Sequence, residues 1–203
     1  MIEFLRLAGL GIVGGLVVFA AISPLVVGLQ RRRFGRVRWQ RLAGIAVICM
    51  YTMLLAGMTV APSGQEVAVC TGSGILQPVP LSSLGEVVEV ARLGVGPLGV
   101  LLSWPSMQLL ANIALFMPLG AILRGVFRLD TTTSLAMGVM LSVLIEATQF
   151  TGGWGLYPCG ERTADIDDVF TNSLGTWLGA MSAPMLTRLG MPLFGRPEPP
   201  APR

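Results

Sequence analysis

The sequence contains no histidine and no lysine, so all 14 basic residues are arginine. Without histidine, imidazole acid–base chemistry and histidine metal ligands are excluded. Three cysteines without a C-x-x-C pair argue against a zinc or iron–sulfur site, and no cofactor is expected. Charge is scarce as well: 12% of residues are charged, against about 25% in a soluble domain. What fills the chain instead is apolar, with 53% hydrophobic residues and a mean hydropathy of +0.71. That excludes a disordered chain and an ordinary cytosolic globule. It predicts an all-α fold, a polytopic membrane helix bundle.

A bilayer core needs about 20 apolar residues per helix. Five stretches qualify, at about 7–29, 42–61, 106–123, 133–150 and 169–187. The first is interrupted only by Ser23 and Pro24. A shorter run, 93–104, is rich in glycine and reads as an interfacial or re-entrant piece within an outer loop, 62–105, that carries no motif. Between the first two spans stand Arg31, Arg32, Arg33, Arg36, Arg38 and Arg41. This cluster marks the cytoplasmic side and serves as a topology anchor; no nucleic-acid partner is expected. Alternation then puts the N-terminus out and the C-terminus in. Ala20 and Ala21 resemble a signal-peptide cleavage site. However, Glu3 and Arg6 give no net positive start, and the six arginines would have to cross, so the first span is expected to stay. Residues 1–190 read as one membrane domain, and 191–203 as a proline-rich cytoplasmic tail. The expected location is the cell membrane, multi-pass, with the lipid bilayer as first partner.

Polar groups inside a span are costly and are candidates for function. The first two spans have almost none. The later ones carry Asn112, Glu146, Gln149 and Asn172, and the loop between the last two holds Arg162, Asp165, Asp167 and Asp168. Ser142, Glu146 and Gln149 lie on one helical face, as do Asp165, Asp168 and Asn172. Thr163 or Asp165 suits an N-cap, and Asp165 with Asp168 resembles a capping box. Gly175 and Gly179 form a G-x-x-x-G face for close helix packing. With the expected orientation, these groups share one depth near the outer leaflet, so an outward polar pocket is possible. Arg162 is expected to couple to Glu146. The same residues can also staple helices with no ligand at all.

Two stretches resemble the VanZ-like membrane proteins. Asn112-Ile-Ala-Leu-Phe116-Met-Pro118-Leu-Gly120 is similar to the family's N-x-x-x-F-x-P-x-G motif. Ser142-x-x-x-Glu146-x-x-Gln149, followed by Arg162-x-x-Asp165-Ile-x-Asp168-x-x-x-Asn172-x-x-Gly175-x-x-x-Gly179, looks like its second signature. The resemblance covers about 45–185. It implies a link to glycopeptide antibiotic resistance, notably to teicoplanin, but no biochemical mechanism.

Three readings compete. The first is a non-enzymatic cell-envelope protein binding a lipid-linked cell-wall precursor or a lipoglycopeptide through Asn112, Glu146, Gln149, Arg162, Asp165, Asp168 and Asn172. The second is an envelope-lipid-modifying enzyme that uses the carboxylate cluster, with or without a divalent cation. The third, a small transporter, is disfavoured because no inverted repeat is visible. The first is preferred, with no metal and an undetermined oligomeric state. Cys49 reads as a small core residue, while Cys70 and Cys159 both fall in outward loops and are a disulfide candidate.

Overall fold

The computed structural model describes residues 2–59, 75–156 and 163–189. Cys70, Cys159, Arg162 and the 191–203 tail therefore lie outside the described residues. The elements are α1 (Ile2–Phe34), α2 (Trp39–Thr59), β1 (Leu76–Gln77), α3 (Ser82–Arg92), α4 (Gly96–Leu101), α5 (Trp104–Gly125), α6 (Thr131–Phe150), the short turn α7 (Gly152–Gly155), β2 (Ala164–Asp165) and α8 (Ile166–Arg188). The protein is a helical bundle, and the chain divides into two compact units, 1–61 with 184–203, and 62–183. Among the described residues, four helices are long and apolar enough to cross a membrane: Arg6–Phe34, Trp39–Thr59, Trp104–Gly125 and Thr131–Phe150. The fifth expected span, 169–187, lies in α8. That helix has the length, with 23 residues, but falls short in apolarity because even its uncharged stretch carries Thr171, Asn172, Ser173, Thr176, Ser182 and Pro184.

In the first unit α1 and α2 form a hairpin. Gly11 and Gly15 lie one turn apart on α1 and bring it against the backbone of α2. A Cβ on Gly11 would stand 2.7 Å from Leu54 Cα, and one on Gly15 would overlap Met50. Pro24 lacks an N–H and so leaves the Ala20 carbonyl without its helical donor; the Ser23 hydroxyl donates to that carbonyl at 3.0 Å. The helix therefore runs through the apparent interruption. At the hairpin turn, Gly35 takes φ +67° and the buried Gln30 accepts the Arg38 N–H at 2.8 Å. Arg33, Arg38 and Arg41 gather round the Phe34 ring, the nearest at 4.5 Å from its centroid.

In the second unit α8 packs against α5 and α6. Gly120 of α5 faces the Thr176 backbone, and Gly179 of α8 faces the Met117 backbone, so a side chain on either would overlap main chain. Gly175 meets Ile113 in the same way. On α6, Gly138 receives the fully buried Thr176 side chain. Phe116, Ile122 and Leu123 of α5, Ile145 of α6, and Ala180 and Ala183 of α8 form the apolar core. At the end of α5 away from Asn112, Arg124 donates to Thr131 Oγ1 at 2.6 Å and to the Ala180 carbonyl at 3.3 Å. That carbonyl is the one Pro184 leaves without a helical donor.

The stretch read as a loop without motif, 62–105, contains two helices among its described residues. α3 is one of them. α4, inside the expected interfacial piece, buries none of its residues; Leu93 and Trp104 beside it are 77% and 79% exposed. A start signal for α3 is missing locally, because Leu81 precedes it in a left-handed conformation, φ +65°, with no side-chain cap of its own. The cap comes from α8, 84 residues away in sequence.

Candidate functional site

The site grows from the first turn of α8. Asp165 is its N-cap: Oδ1 accepts the Asp167 N–H at 2.9 Å, which serves one of the unpaired amides at a helix start. A capping box would have Asp168 reach back to the Asp165 N–H. The structure does this differently, and the expectation is corrected. Glu146, buried at 8% exposure on α6, accepts the Asp165 N–H at 2.9 Å. The carboxylate that completes the cap thus comes from another helix, which leaves Asp168 for a second partner. Asp168 Oδ1 accepts from Asn112 Nδ2 of α5 at 2.7 Å. One helix start is thereby tied to both neighbours, α6 through Glu146 and α5 through Asn112.

Asp168 stands ahead of the 169–187 stretch. Burial pushes its carboxyl up to about 6, the Asp165 and Asp167 charges add to this, and donors on Gln108 and Asn112 oppose it.

One turn and more below, Asn172 is buried at 4% exposure and donates through Nδ2 to Ser142 Oγ at 2.9 Å. Ser142 itself is fully buried. Asn172 Oδ1 has no hydrogen-bond partner among the described residues. An amide oxygen in that state costs about 1–3 kcal/mol unless a donor reaches it. Below it the Thr176 hydroxyl bonds back to the Asn172 carbonyl at 3.0 Å, closing the polar column above the glycine contacts.

Asp167 belongs to the carboxylate cluster of the enzyme reading but not to the expected ligand-binding set, yet at 4% exposure it is the most buried carboxylate of the α8 start. Oδ1 accepts the Leu81 N–H at 2.6 Å, and Oδ2 accepts the Ser83 N–H at 2.8 Å and the Ser82 hydroxyl at 3.3 Å. It is the distant cap of α3. Beside it β1 pairs in parallel with β2, Leu76 with Ala164 and Gln77 with Asp165. The 75–83 segment is thus fixed over the start of α8. Position 167 lies off the 165–168–172 face, so helical periodicity gave no sign of it; only its place in a run of aspartates at a helix start could have done so.

Among the predicted residues, the structure brings together Asn112, Glu146, Asp165, Asp168 and Asn172. Gln149 lies on the last turn of α6, half-buried. Among the described residues, no three cysteine or carboxylate side chains are grouped so as to hold a metal ion. Beyond α6, residues 152–155 all have positive φ, 60–84°, which suits the glycines and strains only Trp154. Trp154 is held there by its amide on Thr151 Oγ1 and its indole N–H on Thr148 Oγ1, both at 3.1 Å.

The model of one protein family, VanZ/LLP1, matches residues 48–187, well over half of the chain and the whole of this polar cluster. No curated protein and no solved structure matches.

Proposed function

Since the chain belongs to the VanZ/LLP1 family and is a membrane protein by its four long apolar helices, we propose that its polar cluster binds the head of a lipid-linked cell-wall precursor or a lipoglycopeptide, without catalysing a reaction. The observation that supports this most is the orphaned Asn172 Oδ1. It lies under the carboxylates of Glu146, Asp165 and Asp168, in a network where the Asn112 and Asn172 amides and the Asp165 N–H each donate to a partner. A polar ligand with a hydroxyl or amide donor offers what that oxygen lacks. Arg162, which the sequence places three residues before Asp165, is proposed to meet an anionic group of the ligand.

In this reading the protein sits in the cell membrane with five spans, the N-terminus outside and the cluster facing outward. A cysteine at Gly153 then reacts with an impermeant thiol reagent in intact cells, while one at Arg36 is protected. The reverse pattern moves the cluster to the cytoplasmic side and sinks the envelope ligand.

Ligand binding is tested by lipid-resolved mass spectrometry of the protein extracted in native membrane patches. The expected result is a polyprenyl-linked or glycopeptide-like species that co-purifies with the wild type and is lost from Glu146→Gln. Recovery of bulk phospholipids alone, in the proportions of the membrane, overturns the reading. The resistance link implied by the family is checked separately, as the teicoplanin susceptibility of a sensitive host that expresses the chain.

A further inference from the structure

The α1–α2 turn gathers positive charge with nothing of the opposite sign beside it in sequence. Six arginines fall between residues 31 and 41, and no aspartate or glutamate occurs between Glu3 and Glu66. The turn also strands a donor. Gln30 is 6% exposed, and its Nε2 has no hydrogen-bond partner among the described residues. Its Oε1 accepts the Arg38 N–H at 2.8 Å. That bond fixes the amide, because the reversed orientation would set donor against donor. Nε2 is bonded to the same carbon, so the stranded N–H lies within the turn. We propose that this turn binds a phosphate group, which accepts from Gln30 Nε2 and from the arginines around Phe34. The site belongs to the first unit and is independent of the ligand proposed for the polar cluster of the second.

Three features favour a phosphate. The first is the stranded donor itself. A buried N–H without an acceptor is costly, and a phosphate has enough oxygens to take Gln30 and more than one guanidinium at once. Arg31, Arg32, Arg33 and Arg36 beside it are exposed, so rotation of their long side chains opens the way to Gln30. The second is the arrangement of the guanidiniums. Arg33, Arg38 and Arg41 lie over the Phe34 ring, with Cζ at 5.6, 5.3 and 4.5 Å from its centroid. Three cations on one ring repel one another, and a shared anion offsets this. A guanidinium over a ring keeps its planar fork of donors along its edge, the geometry that takes phosphate oxygens two at a time. The third is the start of α2. The Arg41 and Leu42 amides reach the Arg38 carbonyl at 3.0 and 3.2 Å, so Arg38 is the N-cap. The Trp39 and Gln40 amides precede that first bond, and helix starts of this kind favour an anion. The first turn of α2 has no acidic residue and carries Arg41 instead, which opposes the helix dipole unless an anion stands between them. Trp39, 77% exposed at the foot of this span, suits the headgroup level of a bilayer. A phosphate at that depth is borne by a lipid head or drawn from the adjoining water.

The test uses the full-length protein in detergent, with native mass spectrometry to count bound lipid. Dioleoyl phosphatidic acid is titrated against dioleoylglycerol, which has the same tails and no phosphate. Phosphatidic acid is expected to bind about tenfold tighter or more, the worth of one or two charge-assisted hydrogen bonds. Gln30→Glu keeps an acceptor for the Arg38 N–H and sets a carboxylate where the phosphate is expected, so it should abolish that preference. Gln30→Met leaves the net charge unchanged and should weaken phosphatidic acid by about tenfold, as the loss of one hydrogen bond to a charged group. If Gln30→Met fails to fold, Gln30→Glu decides alone. Arg6→Gln, at the far end of α1, changes the net charge by as much as Gln30→Glu and should leave the preference intact. Equal affinity for the two lipids overturns the proposal, and so does a preference that survives Gln30→Glu. A loss in Arg6→Gln equal to that in Gln30→Glu also overturns it, because binding then follows net charge alone. Excess inorganic phosphate separates the two sources: displacement of phosphatidic acid shows that a free anion fills the site, and retention makes the lipid head its occupant.

Discussion

In the α1–α2 hairpin, Gly11 and Gly15 let two helices meet backbone to backbone, and between α5 and α8 Gly120, Gly175 and Gly179 do the same. Around these matching contacts the two regions differ. Among its described side chains the hairpin buries only two polar ones, Gln30 at the turn beside the arginines around Phe34, and Thr59, whose hydroxyl returns to the Leu55 carbonyl of its own helix. The second unit buries Ser134, Ser142, Glu146, Asp167, Asn172 and Thr176. Close helix packing in lipid needs small residues but no polar ones. The polar groups of the second unit are therefore extra to packing. They hold a loop segment, 75–83, and a helix start in fixed positions. The comparison places the buried polar network in the second unit and the arginine cluster around Phe34 in the first.

The largest effect that would break the comparison is steric. Gly179→Leu puts a side chain into the Met117 backbone and should cost at least about 3 kcal/mol, seen as loss of monodisperse protein in detergent. Gly28→Leu on α1, where no neighbour among the described residues lies within 4 Å, should leave it unchanged. If both variants behave alike, the close contacts are not what holds the second unit.

A smaller effect separates two aspartates. Asp167→Ala removes a buried acceptor from two backbone amides and a hydroxyl. It should cost about 2–4 kcal/mol, read as faster hydrogen exchange across 81–92 with α6 and α8 still protected. Asp130→Asn should leave stability essentially unchanged, since asparagine is as good an N-cap. Asp130 is an exposed cap whose carboxyl is held low by the Thr133 hydroxyl and amide. Unchanged exchange across 81–92 in Asp167→Ala would show that α3 is held by something else.

The smallest effect is in pH. Asp168 titrates near 6 when folded and near 3.8 when unfolded, so between these values the folded form binds more protons. Stability should therefore fall as pH rises from about 4 to 6, by at most about 2–3 kcal/mol, and then level off. Asp168→Asn should remove that slope in thermal unfolding measured across this range. A slope that persists unchanged in the variant would show that Asp168 is not its source.

The membrane-bundle class was readable because hydropathy is additive along the chain, and four apolar runs declare themselves without any fold. The two polar motifs were readable because helical spacing alone puts Ser142 with Glu146 and Asp168 with Asn172 on common faces. The partner of each group was not. Glu146 completing the cap of α8, Asn112 binding Asp168, and Asp167 starting α3 from 84 residues away all join residues distant in sequence. Local pattern assigned the 165–168 pair to each other, as a capping box. The tertiary structure reassigned both, because a carboxylate on a neighbouring helix reached the free amide first. Sequence determines which groups are unsatisfied; only packing decides which of their possible partners arrives within hydrogen-bond distance.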